Sequence, residues 1–205
     1  MKPQSKSLQQ WVKDGDHLPD FLKGKEKQTE IIRALYFKMQ RPKLNMFSED
    51  ILPESLAQHC AFTFLDFVAL HGYVLKRSSS RLPFLSVDEA LAEYRSGERN
   101  HKGPSQEVID WMKRGVYLPD FLKDFHDAKD FFKPFFSVVD DKDQLNWIAV
   151  HCYMVDNFLW FLARFGYCVQ RSNKRFEFES LYSFINNEKE QRAQSFIDML
   201  NREKQ

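Results

Sequence analysis

A hexapeptide that recurs letter for letter constrains this chain more than any other feature. Leu18-Pro-Asp-Phe-Leu-Lys23 returns as Leu118-Pro-Asp-Phe-Leu-Lys123, and each copy follows an identical tryptophan, Trp11 or Trp111, at the same distance. Around the tryptophans, Leu8-Gln-Gln-Trp-Val-Lys-Asp-Gly15 aligns with Val108-Ile-Asp-Trp-Met-Lys-Arg-Gly115. Further on, His59-Cys60 aligns with His151-Cys152, and Phe64-Leu-Asp-Phe-Val-Ala-Leu-His-Gly72-Tyr73 with Phe158-Leu-Trp-Phe-Leu-Ala-Arg-Phe-Gly166-Tyr167. Arg77, Ser78 and Arg81 then match Arg171, Ser172 and Arg175. A self-similarity of this period reads as one supersecondary module written twice. The polar stretch Gly97–Ser105, with its Gly and Pro residues, is the natural join. The expected organisation is therefore a first copy over 1–98 and a second over 99–205, packed about a pseudo-two-fold axis as in a C2 dimer.

Within each copy the residue pattern is mainly helical. A short helix ends at Gly15 or Gly115, glycine being the usual left-handed terminator. Pro19 and Pro119 suit the first turn of a second helix, where a missing N–H breaks no bond. That helix continues through Ile31, Ile32, Leu35 and Tyr36 in the first copy, and through Phe125, Phe132, Phe135 and Phe136 in the second. A third helix spans about 55–70 and 145–165, and its second version is apolar nearly all round, as a central helix is. After Gly72 and Gly166 the pattern becomes strand-like. Tyr73–Arg77 followed by Leu82–Leu85, and Tyr167–Arg171 followed by Phe176–Glu179, predict a β-hairpin in each copy. Final helices run over Val87–Tyr94 and from Leu181 to about Asn201. The fold class is mainly α (α+β), with about four helices and a small hairpin per copy.

Composition narrows function by exclusion. Thirty Lys and Arg against 29 Asp and Glu leave a net charge of +1, so any affinity for a polyanion has to come from a local patch. The N-terminus lacks the apolar core of a secretory signal. The most apolar stretch, Trp147–Cys168, carries His151, Asp156, Asn157 and Arg164, which points to a buried soluble helix and no membrane span. Cys60, Cys152 and Cys168 form an odd set without CxxC spacing, as expected of reduced thiols in a cytoplasm. No P-loop, dinucleotide fingerprint, nucleophile elbow or HExxH is present, so neither cofactor nor catalytic residue is assigned.

Three groups of residues remain as candidates. The His-Cys pairs have the wrong spacing for a structural zinc site, and neighbours on a helix diverge by about 100°; no metal is assigned. His126-Asp127, with His151 and Asp156, offers the elements of a metal-dependent phosphohydrolase, although the upstream histidine such sites use is missing. The turn of each expected hairpin is basic in both copies: Lys76, Arg77 and Arg81, then Arg171, Lys174 and Arg175, with Tyr73 and Tyr167 at the hairpin bases. Such charge commonly protects strand edges, but its duplicated position points to partner binding. The expected function is thus a non-enzymatic cytosolic interaction protein, an inhibitor or adaptor of phage or plasmid accessory type, gripping a protein partner through these residues. Nucleic-acid binding by the same residues is the first alternative, and the phosphohydrolase the second.

Overall fold

The computed structural model describes residues 7–38, 54–98, 102–123 and 144–202. In chain order the elements are α1 (Leu8–Lys13), α2 (Lys25–Lys38), α3 (Glu54–Leu70), β1 (Tyr73–Arg77), α4 (Val87–Ser96), α5 (Gln106–Lys113), α6 (Gln144–Ala163), β2 (Tyr167–Arg171) and α7 (Leu181–Arg202). The protein is mainly helical, with one small two-stranded antiparallel sheet among the described residues.

Local sequence explains the helix boundaries. The Ser7 hydroxyl accepts from Gln10 N at the start of α1, and Ser105 accepts from Val108 N at the start of α5, each satisfying a backbone donor that has no intrahelical partner. Pro19 and Pro119 do not open a long helix. Each sits in extended conformation ahead of a single 3-10 turn, Asp20–Leu22 or Asp120–Leu122. Gly24, at φ +90, separates the first of these turns from α2. The helix expected through Phe125–Phe136 lies outside the described residues.

The long helices carry the core. α3 packs against α6, with the rings of Phe62 and Phe158 at 5.6 Å, while α2 packs against α3 and α4. Phe64 and Phe158 are wholly enclosed. One hydrophobic cluster runs through both halves of the chain, from Leu18 and Leu22 through Leu65 and Val68 to Leu159, Leu162 and Leu181. The helices are uninterrupted, so the ten-residue match that ends at Tyr73 and Tyr167 extends backwards in register. Cys60, fully buried, then stands opposite the buried Met154, and Cys152 is only half-buried. The His-Cys pairs are therefore not equivalent positions, because a helix cannot absorb the two-residue gap their alignment needs.

The strands depart from expectation. No hairpin forms with Leu82–Leu85 or with Phe176–Glu179; β1 pairs with β2 instead, with Tyr73 opposite Arg171, Leu75 opposite Val169 and Arg77 opposite Tyr167. The ladder is prolonged at both ends, by Ser78 N donating to Gly166 O at 2.6 Å and Ser172 N donating to Gly72 O at 2.8 Å. Beyond it, each segment crosses onto the opposite half. Leu85 N donates to Arg164 O, and the Phe84 ring meets Trp111 at 5.1 Å. Phe176 and Phe178 meet Trp11 at 5.4 and 6.5 Å, with Glu177 and Glu179 exposed. The alternation in Phe176–Glu179 thus reports which face is buried, without a ladder partner. In the first half Pro83 removes a donor that a return strand needs.

Two glycines make this crossing possible. Gly72 and Gly166 stop α3 and α6 at φ +84 and +77, and both are roofed by a phenylalanine from the crossing segment. A Cβ on Gly166 would stand 2.6 Å from Phe84, and one on Gly72 would stand 3.0 Å from Phe178. Next to Gly72, His71 is 3 % exposed, with Nδ1 donating to Glu179 O at 3.0 Å and its ring beside Phe67 and Phe184.

Two outcomes follow. Gly166→Ala combines left-handed strain of about 1–2 kcal/mol with an overlap of about 1–3 kcal/mol, whereas Gly24→Ala, with open space around its Cβ, carries the strain alone. Urea unfolding is expected to place Gly166→Ala well below Gly24→Ala; equal losses would remove the close approach of Phe84. Burial also holds the His71 imidazole below its ordinary 6.5, opposed in part by the Glu179 carbonyl. The unfolded chain then binds a proton that the folded chain refuses, so this contribution is complete above about pH 6.5 and lost as pH falls below it. His71→Phe, which copies Phe165 at the matching position, is expected to flatten the fall in urea midpoint between pH 7 and 5; an unchanged slope would contradict it.

Candidate functional site

The antiparallel pairing leaves β1 with an outer edge, and a cleft of about 590 Å³ runs along it. Val74–Arg77 form its floor, Trp11 and the turn Asp16–Phe21 one wall, and Tyr167 and Ser172–Lys174 its two ends. The ends follow from the register, since Tyr167 lies opposite Arg77 and Ser172 is bonded to Gly72.

The ladder explains why this edge offers hydrogen bonds. Ser78 bonds to Gly166 and Ser172 to Gly72, so every second pair between them faces away from the partner strand. Leu75 and Val169 form such an outward pair. On β2 the outward donor is satisfied, because Val169 N donates to Tyr117 O at 3.0 Å. No counterpart bond joins Leu75 N to His17 O among the described residues, and the cleft lies in that gap.

The side chains beside the two edges also differ. Tyr117 packs on Trp160 with ring centres at 6.0 Å. At the matching positions the first half has His17 and Asp66, with His17 Nε2 2.8 Å from Asp66 Oδ1. The His17 side chain is 2 % exposed and that of Asp66 51 %, so the contact pins the turn to α3 from within. Both ring nitrogens of His17 are enclosed without a well-aligned hydrogen bond among the described residues, so the Asp66 contact is one of proximity, and the Trp11 ring lies 5.7 Å away. On the cleft's rim, Lys23 lies 2.9 Å from Asp20 and holds its carboxyl below the usual carboxylate range, chiefly by hydrogen bonding and then by charge.

The eight residues expected to bind a partner are divided by the fold. Lys76, Arg77, Lys174 and Tyr167 line the cleft, and Tyr167 packs on Phe21 at 4.6 Å. Arg81 and Arg175 are exposed away from it. Tyr73 is 8 % exposed and packs on Phe121 at 4.9 Å. Arg171 stacks over the Tyr73 ring at 4.2 Å and donates to His71 O at 3.3 Å, so its charge is engaged with the fold. Trp11, His17 and Phe21 belong to the cleft without having been singled out for binding. The substitution of His17 and Asp66 for Tyr117 and Trp160 is the signal that marks the position.

The other chemical candidates are placed as follows. His126 and Asp127 lie outside the described residues, as does the side chain of His151; Asp156 is exposed on α6. Among the described residues no group of three or more His, Cys, Asp and Glu is arranged to hold a metal ion, and no helix is long and apolar enough to cross a membrane. His59 is exposed while Cys60 is buried, so the two side chains do not converge. Burial pushes the Cys60 thiol up to about 12 and raises that of Cys168, where hydrogen bonds to Ser78 and Gln170 oppose the shift.

A thiol at about 12 is thiolate in roughly one molecule in 10⁴ at pH 8. Iodoacetamide applied at that pH to the folded protein is therefore expected to leave Cys60 unmodified by peptide mass spectrometry, with full labelling in urea. Rapid native labelling of Cys60 would mean that the packing around it opens freely. Compared with protein-family models, curated proteins and solved structures, the chain matches none.

Proposed function

We propose that this chain is a non-enzymatic adaptor or inhibitor that binds an extended, acidic segment of a protein partner along β1. The observation that carries the reading is the cleft itself: an open strand edge with Lys76 and Arg77 at one end and Lys174 at the other. An added strand would receive backbone hydrogen bonds from the outward-facing Leu75, while alternate side chains meet the aromatic wall of Trp11, Phe21 and Tyr167. About four extended residues span β1 at roughly 3.3 Å each. Asp16 and Asp20 on the facing wall oppose an unbroken run of phosphates, whereas a protein segment can place its few carboxylates beside Lys76, Arg77 and Lys174 and neutral residues opposite the wall. Buried thiols at Cys60 and Cys168 suit a reducing cytoplasm.

The same proposal includes a tandem duplication, with copies over 1–98 and 99–205 related by a pseudo-two-fold axis through the Leu75–Val169 pair. Paired contacts support it beside the repeated sequence. Phe21 packs on Tyr167 as Phe121 packs on Tyr73, and Phe84 roofs Gly166 as Phe178 roofs Gly72. In this reading one copy keeps a binding edge, and the other has sealed its own through Val169 and Tyr117.

Selection from a displayed library of random 12-residue peptides tests the binding reading. Recovered sequences are expected to alternate apolar and acidic residues. Lys76→Ala and Lys174→Ala should each weaken them about 2–5-fold, and the double charge reversal to Glu should abolish binding. Peptides without acidic enrichment, or equal affinity for the reversed variant, would refute the reading; tight, salt-sensitive binding of single-stranded DNA would replace it with the nucleic-acid alternative.

A further inference from the structure

A second, smaller cavity of about 170 Å³ lies where the end of α2 meets α6, lined by Leu35, Lys38, Asn157, Trp160, Phe161 and Arg164. At about 30 Å³ per water it has room for about six waters' worth of matter. Arg164 is its unusual member. The residue is half-buried, and its Nε is enclosed with no hydrogen-bond partner among the described residues. No carboxylate among the described residues forms an ion pair with it; Glu93 pairs with Lys38, Asp66 with His17, and Glu54 with Arg33. Burial pulls the guanidinium below its ordinary range. A desolvated cation without a counter-charge is costly, and the fold does not demand it. At the matching position the first half has Leu70, also half-buried.

We propose that this cavity binds the carboxylate of a small organic acid, with Arg164 as its counter-ion. The charge around the cavity selects the ligand class. Lys38 and Arg164 supply two positive charges and Glu93, paired to Lys38, one negative, so one anionic charge balances the site. A monocarboxylate meets that requirement and a phosphate dianion exceeds it. The planar guanidinium takes a carboxylate by two parallel hydrogen bonds. Leu35, Phe161 and the Trp160 ring offer the acid's hydrocarbon part an apolar surface. Asn157 Nδ2 donates to Tyr153 O at 2.7 Å, which leaves its amide oxygen free to accept from a ligand hydroxyl or a water.

Thermal unfolding of the full chain in sodium butyrate, with sodium chloride and sodium phosphate at matched ionic strength, tests the assignment. Butyrate is expected to raise Tm saturably, with an apparent Kd on the order of 1 mM for a ligand of six heavy atoms, and to shift the Arg164 Nε–H resonance along the same curve. Arg164→Leu, which installs the residue of the first half, should fold with a higher ligand-free Tm and lose the butyrate response. Arg164→Lys should keep part of it. The proposal is overturned if butyrate does no more than chloride, or if Arg164→Leu retains a saturable response. A saturable effect of phosphate alone also overturns it. Should Arg164→Leu fail to fold, the Arg164 Nε–H resonance decides in the unmodified protein, and an unmoved signal at saturating butyrate refutes the site.

Discussion

The β1–β2 ladder is the interaction on which the rest of the structure depends. Each strand finds its partner in the other half of the chain, and each following segment continues onto that other half. Trp11 consequently owes its cover to Phe176 and Phe178, and Trp111 owes part of its own to Phe84. A half-chain taken alone would expose a tryptophan, a strand edge and the roof of a glycine together. The shared hydrophobic cluster through α3 and α6 has the same consequence. Such interdependence favours a single cooperative unfolding transition, even though the sequence repeats.

The ladder also decides where binding surface is available. With the inner edges of both strands paired, each strand keeps one outer edge, and exposed edges invite further pairing unless they are covered. On β2 the turn around Tyr117 covers the edge by a backbone bond. On β1 the turn is tied to α3 through the His17–Asp66 pair, and the edge faces a cleft. A backbone bond is thus present at the sealed edge and missing, among the described residues, at the open one. The charges that flank the cleft come from residues whose backbone positions the ladder fixes, which makes their spacing a property of the fold.

Much of the helical structure was legible because its signals are local. The glycine stops after α3 and α6 and the apolar faces of α2 and α3 each follow from a few neighbouring residues. Strand partners are not local. The alternation of Phe176 and Phe178 announces a buried face, and a hairpin is the nearest arrangement that supplies one. The fold supplies it from Trp11, far away in sequence, and Pro83 was the one residue that spoke against a return strand. The His-Cys alignment failed for a related reason: two adjacent identities outweighed the continuity of a helix. Of the basic residues, Lys76, Arg77 and Lys174 reach the cleft while Arg171 is spent on Tyr73 and His71. Charge pattern alone cannot separate these roles, because the difference lies in which ring or carbonyl each guanidinium meets.

Exchange of strands between the halves is tested most directly by an interstrand nuclear Overhauser effect. Leu75 and Val169 form a non-hydrogen-bonded antiparallel pair, the arrangement in which opposed α-protons approach most closely. A strong cross-peak between Leu75 Hα and Val169 Hα is the predicted result. Cross-peaks joining the Tyr73–Arg77 backbone to Leu82–Leu85, with none to Tyr167–Arg171, would restore a local hairpin and contradict the account.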